Sequence, residues 1–258
     1  QQLSIFEMEE VILENVTFSY DDYVKARVLH LLVKIYVDHD PFIELVSFLR
    51  MKNISIIDVL VEIRDNVIQS DSKIASLISS FTRGMLDYVF DSPEELDEFV
   101  LQPNAIDKYI SGEFGANELL VHRARAFLSC QDELYQLLYH GVITVLKKEN
   151  VYSELYDKYV DESIRFRRLK NFNLRDYMVS KKGVFSFDFL QIQQEKFKVD
   201  PREVEMPGQE YEFKYSDENI ARIKRIEDET KGNMKKIGKL YQRYNLMTIN
   251  RELVVMGK

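Results

Sequence analysis

His30, His122, His140 and the single cysteine, Cys130, are the side chains whose types most readily support catalysis or metal binding. Their spacing tests that chemistry. His30 lies inside SYDDYVKARVLHLLVKIY, residues 19–36. A helical period there sets Val24, Val28, Leu31, Leu32 and Ile35 in one apolar stripe, and Tyr23, Arg27, His30 and Lys34 in the stripe beside it. Two cations next to an imidazole oppose its protonation and equally oppose a bound metal cation. His30 therefore reads as a packing or solvent-edge residue. His122 and His140 share a face if one helix runs through 116–149, but at about 1.5 Å per residue they stand roughly 27 Å apart and cannot share a metal. Glu118 and His122 are one helical turn apart, whereas di-iron bundles take Glu-x-x-His from each of two helices, a pair missing from this sequence. One cysteine excludes an internal disulfide framework and an all-cysteine metal site. GEFGAN (112–117) has the wrong spacing for a phosphate-binding glycine loop, and no Gly-x-Ser-x-Gly elbow occurs. The sequence therefore assigns no catalytic, cofactor-binding or metal-ligating residue.

Two basic stretches remain. RFRRLKNFNLRDY (165–177) interleaves Arg165, Arg167, Arg168, Lys170 and Arg175 with Phe166, Phe172 and Tyr177. Adjacent helical residues point about 100° apart, so Arg167 and Arg168 cannot share one narrow buried face, and at least one must reach solvent or an acid. Residues 222–243 carry eight basic and three acidic side chains on two short helical segments around Gly232, a pattern permissive enough to include a helix-turn-helix. The chain as a whole has 35 basic and 43 acidic residues and a net charge of −8, which gives no global pull toward nucleic acid or an anionic membrane.

These residues need elements to position them, and the pattern is mostly helical. The 258 residues are 45% hydrophobic, with nine glycines and five prolines, too few for a many-turned sandwich or barrel. Helices are expected near 19–37, 41–52, 55–68, 71–90, 93–101, 104–111, 116–149 and 151–170. Ser19 with Asp22 marks the first start, and Asp40-Pro41 and Ser92-Pro93 set a capping residue before a proline. After residue 180 the period changes to two. VFSFDFLQI (184–192) alternates Phe185, Phe187 and Phe189 with Ser186 and Asp188, and EYEFKYS (210–216) alternates Tyr211, Phe213 and Tyr215 with Glu212 and Lys214. These read as two half-buried strands joined by the loop KVDPREVEMPGQ. Helices at 217–230 and 234–244 and a last strand in MTINRELVV complete the pattern.

The expected fold is mainly α: a bundle-like helical domain over 1–172, then a small α+β subdomain over 173–258 with an antiparallel strand pair. No run approaches the roughly 18 apolar residues that cross a bilayer, and the lone cysteine suits a reducing cytoplasm. The chain opens on Gln1 rather than Met, as a fragment of a longer protein would.

Several segments together resemble the C-terminal region of cobalamin-binding radical SAM iron–sulfur proteins. EEVILENVTFSYDDYVKARVLHLLVKIY (9–36) is similar to that family's exit from the catalytic barrel, a strand leading into a helix with an Arg-x-Leu-His stretch, here Arg27 to His30. VFSFDFL and YEFKYSDENIARIKRIEDETKG resemble its aromatic strand pair and closing helix. MKKIGKLYQRYNLMTINRELV resembles its terminal pattern through Gly238, Lys239, Arg243 and Arg251. Residues 50–150 carry no match. The resemblance implies a C-terminal accessory domain that shapes or closes the active site of a radical SAM enzyme. Its partner would be an upstream domain of the same polypeptide, docked against Arg27, His30 and Lys34. The four-iron cluster, S-adenosylmethionine and cobalamin would belong to that upstream part, since the cluster's three-cysteine loop is missing from this sequence and Cys130 alone cannot hold a cluster. The alternatives are a stand-alone helical protein-interaction module and a nucleic-acid binder using the two basic stretches.

Overall fold

The computed structural model describes residues 10–67, 72–87, 89–111, 117–243 and 249–255. The fold is mainly α, with a small antiparallel sheet near the C-terminus. The first helix, α1 (Tyr20–Tyr36), begins with a reciprocal cap: Asp22 N–H donates to Ser19 Oγ at 3.2 Å and Ser19 N–H donates to the Asp22 carboxylate at 3.1 Å. Its inner face buries Val28, Leu31, Leu32 and Ile35 against α3 (Ile56–Val67) and α7 (Glu118–Ser129). Helices α2 (Ile43–Met51) and α4 (Lys73–Gly84) flank this layer, and α8 (Gln131–Lys148) lies on α3. The approach of α8 to α3 is close enough that a Cβ at Gly141 would meet Ile63 Cγ1 at 2.7 Å. The short α5 (Pro93–Val100) and α6 (Ala105–Ser111) stand to one side, and α5 buries no residue.

Helix α9 (Glu154–Lys170) joins the helical layer to the sheet. Strand β1 (Lys181–Phe187) pairs antiparallel with β2 (Glu205–Lys214), and β2 with β3 (Glu252–Val255), in the order β1-β2-β3. The aromatic positions of both long strands face α9. Phe166 stacks on Phe189 at 4.3 Å and meets Phe213 and Phe185 edge-on at 5.4 and 5.6 Å, and Tyr159 meets Phe187 at 5.2 Å. A second apolar cluster seals α7 to α11 (Asp217–Thr230) and α12 (Met234–Arg243) through Ala124, Leu128, Phe172, Ile223, Ile226 and Ile237. Among the described residues no helix is long and apolar enough to cross a membrane.

The structure departs from the sequence reading in four places. The expected 116–149 helix breaks at Cys130 (φ −126°, ψ 22°), whose N–H closes α7 on the Ala126 carbonyl at 3.1 Å while its own carbonyl opens α8 to Leu134 N–H at 2.9 Å. The second helix starts at Ile43 rather than at Pro41. His39 and Asp40 are left-handed (φ 66° and 53°), and the carbonyls around them serve tertiary partners, Asp38 O accepting from Arg123 at 2.8 Å and Pro41 O from Asn171 at 3.0 Å. The fourth helix ends at Gly84 rather than running to residue 90, and Leu86 N–H turns back onto Arg83 O at 3.0 Å. Finally, the 184–192 strand stops at Phe187. Asp188 accepts hydrogen bonds from Leu190 and Gln191 N–H at 3.0 and 2.9 Å and starts a new helix, α10 (Phe189–Gln194), so Phe189 reaches the core from a helix. A short 3₁₀ turn, Pro201–Glu203, follows, and β2 begins as early as Glu205. Pro207 lies where the β1–β2 register shifts, between the pairs Phe185–Gln209 and Phe187–Glu205, a bulge position at which a proline is tolerated.

Candidate functional site

The three residues expected to dock an upstream domain lie along one stripe of α1 with different surroundings. Arg27 is half-buried against α4. Its Nε donates to Met85 Sδ at 3.2 Å and its guanidinium lies 6.0 Å from the Phe81 ring centre. Lys34 donates to Asp38 Oδ2 at 3.2 Å. Asp38 also receives Arg123 Nη1 at 3.3 Å and has His39 Nε2 at 3.7 Å, so this carboxylate ties the end of α1 to α7. His30 alone of the three is open to solvent. Partial loss of hydration, followed by the charges of Arg27 and Lys34, holds its imidazole below the ordinary histidine value, with Asp38 pulling the other way.

The stretch leading into α1 exposes three large apolar side chains. Val11 is 57% exposed, Ile12 73% and Val16 fully so. Residues 10–14 form neither helix nor strand, and a tight turn follows in which Asn15 and Phe18 exchange both main-chain hydrogen bonds, at 2.7 and 3.3 Å, with Asn15 Oδ1 accepting from Thr17 N–H at 2.9 Å. The turn delivers the chain to the Ser19 cap.

Elsewhere the ionisable side chains serve the fold. His122 is buried, its Nδ1 2.9 Å from the Glu118 carbonyl and 3.1 Å from the Glu118 carboxylate, and its ring meets Phe81 edge-on at 5.5 Å. His140 lies on the surface of the next helix, so the break at Cys130 removes the shared face that a continuous helix would give. Arg167 is buried and paired with Glu44, Nη2 to Oε1 at 2.7 Å, and Gln193 donates to the same oxygen at 3.2 Å. Arg168 is exposed and paired with Asp132. The arginine pair therefore splits as its angular separation requires. Arg251, fully buried, donates to the Leu169 and Asp176 carbonyls at 2.9 and 3.1 Å and to the Asp176 carboxylate at 2.6 Å. Lys52 bridges Tyr156 and Asp200, both at 2.6 Å. Sequence reasoning missed the buried charges Glu44, Arg123 and Arg251, because each is buried by partners distant in the chain: Arg167 for Glu44, Asp38 for Arg123, and Leu169 and Asp176 for Arg251.

Cys130 is 6% exposed, and burial, with Glu133 nearby, pushes its thiol up. It fits neither a nucleophile nor a cluster ligand, both of which need the thiolate. No group of three His, Cys, Asp or Glu among the described residues can hold a metal ion. In the basic stretch 165–177, Arg165 donates to the Val184 carbonyl at 2.6 Å, and Lys170 to Gln193 at 3.1 Å. No protein-family model, curated protein or solved structure matches this chain.

Proposed function

We propose that this chain is the C-terminal accessory part of a cobalamin-binding radical SAM enzyme, giving the catalytic domain a contact surface and no catalytic residue of its own. The reading rests on the resemblance of residues 9–36 and of the C-terminal segments. The observation that carries it is the exposure of Val11, Ile12 and Val16 on a stretch outside any helix or strand directly before the capped start of α1. An exposed apolar segment of this kind is stabilised by adding to a sheet or packing under a neighbouring domain. The iron–sulfur cluster, S-adenosylmethionine and cobalamin belong to the upstream domain, and His30 is the solvent-facing member of the docking stripe.

The test begins with the reading frame upstream of residue 1, where an in-frame three-cysteine loop is expected. In the encoded full-length protein, Ile12→Asp combined with Val16→Asp should lower SAM cleavage while leaving the melting temperature of residues 1–258 unchanged. Docking of His30 against an anionic group should also raise its NMR-titrated pKa relative to the isolated chain. A start codon directly before Gln1, or full turnover in the double variant, overturns the proposal.

A second reading, a stand-alone helical interaction module, is favoured by α5, which buries no residue, and by Leu101 beside it, 81% exposed. The same upstream sequence decides between the two.

A further inference from the structure

Where α7 breaks into α8, a cleft of about 290 Å³ opens between the start of α4, the loop after α9 and the start of β1. Four cations reach it: Lys73 at the first residue of α4, Arg168 on α9, Arg175 in the loop and Lys181 at the head of β1. Three carboxylates line it too, and each is already committed. Asp132 pairs with Arg168. Glu133 accepts from Ile74 N–H at 3.0 Å and so caps α4. Asp176 holds Lys181 and, at 2.6 Å, the buried Arg251.

That leaves Lys73 and Arg175 as exposed cations with no ion-pair partner among the described residues. They stand on different elements across one cleft. The floor is the N-terminus of α8, where Cys130 occupies the capping position without a side-chain hydrogen bond and Asp132 and Glu133 stand in the first turn. The positive end of a helix favours an anion there. The remaining walls hold Ser129, Gln131 and Asn173; Gln131 donates to Tyr135 Oη at 3.2 Å and accepts from Asn173 at 3.4 Å, and Asn173 Oδ1 accepts from Arg175 N–H at 2.8 Å, so the amides keep one further N–H each and a free oxygen lone pair for a hydroxyl group. On a chain whose net charge is −8, two uncommitted cations facing one polar cavity are a local inversion of sign.

We propose that this cleft binds a phosphomonoester. Its dianionic head lies between Lys73 and Arg175 at the start of α8, and its hydroxylated body lies along Ser129, Gln131 and Asn173. Arg175 provides a planar fork for two phosphate oxygens and Lys73 a point charge. The volume, about ten times the roughly 30 Å³ that one water takes in the liquid, accommodates a small organic body as well as the head. The inference is independent of the accessory-domain reading, since every residue it uses lies within this chain.

Calorimetric titration of residues 1–258 with glycerol 3-phosphate, inorganic phosphate and sulfate at low ionic strength tests it. The expected result is saturable binding of the monoester, at least tenfold tighter than phosphate, with sulfate weaker still. Lys73→Gln and Arg175→Gln should each weaken binding about tenfold or more, and Arg175→Lys less, with the unliganded melting temperature unchanged in all three because both side chains are exposed. Phosphate binding as tight as the monoester would assign the site to a free anion and overturn the body contacts. Equal responses to all three anions, or equal affinity in wild type and the double Gln variant, would mean charge screening alone and overturn the site itself.

Discussion

Arg167 and Glu44 are both buried, on α9 and α2, and each is the other's main electrostatic partner. Removing one member leaves an uncompensated charge in the core, so Arg167→Met or Glu44→Leu alone should cost about 3–5 kcal/mol in urea unfolding. Replacing both should recover most of that loss, since a well-packed apolar pair is often no less stable than a buried ion pair. Arg168→Glu, one residue on, breaks a pair exposed by 49% and 71% and should cost under about 1 kcal/mol. A double variant as damaged as the two singles summed would show that the pair carries more than its own neutralisation. Lys170 gives a pH-dependent counterpart. Burial, then the charge of Arg167, lowers its ammonium to about 8, with Glu44 opposing. The unfolded chain keeps that proton up to about 10.4, so between the two values the unfolded state binds more protons and stability rises with pH. Below pH 8 the cost of holding a charged Lys170 is fully present. Lys170→Met should therefore match or exceed wild-type stability at pH 7, and the difference should move in favour of wild type by pH 10. An unchanged difference across that range would refute the half-buried, depressed lysine.

At the scale of elements, the sequence was legible where a local signal acts alone. Ser19 with Asp22, Ser92 with Pro93, and Ser216 each mark a helix start that the structure places at the neighbouring residue, because a cap is satisfied within one turn of chain. It was illegible where tertiary contacts set the backbone. No glycine or proline announces the break at Cys130, and the Asp40-Pro41 signal is overridden because Arg123 and Asn171 take the carbonyls of that turn. The alternation through Phe185, Phe187 and Phe189 found three core residues correctly but joined two elements, since period two cannot reveal that Asp188 turns the chain into a helix. The stripe of Arg27, His30 and Lys34 on α1 was legible as a stripe, whereas the tie of Arg27 to Met85 depends on packing between elements and that of Lys34 to Asp38 on how α1 ends. Gly238 shows the same dependence. On α12 a Cβ there would stand 2.7 Å from the Leu120 carbonyl oxygen and 2.8 Å from its carbon, so only glycine lets α12 lie this close to α7. The obstacle is main chain and cannot rotate away. Gly238→Ala should therefore cost about 1–3 kcal/mol, as overpacking does, and hydrogen exchange should quicken in α12 before it does in α7. Unaltered melting with unaltered protection would show that the two helices adjust freely.

For the molecule as a whole, the change from helices to strands near residue 172 divides two kinds of secondary structure that bury side chains in common. Phe185, Phe187, Phe189, Tyr211 and Phe213 belong to the same apolar cluster as Phe48, Tyr159 and Phe166 of the helices. Phe172, just past α9, packs with Ile223 of α11 and Ile237 of α12. Arg251 beside β3 reaches back to the Leu169 carbonyl at the end of α9, and its N–H donates to Lys170 O at 2.9 Å. A chain ending at residue 172 would strip these partners from α9 and leave Phe166, fully buried in the whole protein, facing water. Losing a core aromatic's environment costs about 3–5 kcal/mol at a single site, a large fraction of the roughly 5–15 kcal/mol that holds a domain together, and here several such sites lose cover at once. Residues 1–172 should therefore fail to fold alone, and residues 1–258 should unfold in one transition, with the near-ultraviolet signal of the aromatics and the far-ultraviolet helical signal lost at the same denaturant concentration. Two separated transitions, or a folded 1–172 fragment with native-like near-ultraviolet ellipticity, would establish that the helical part carries its own stability and that the aromatic contacts across α9 are a dispensable interface.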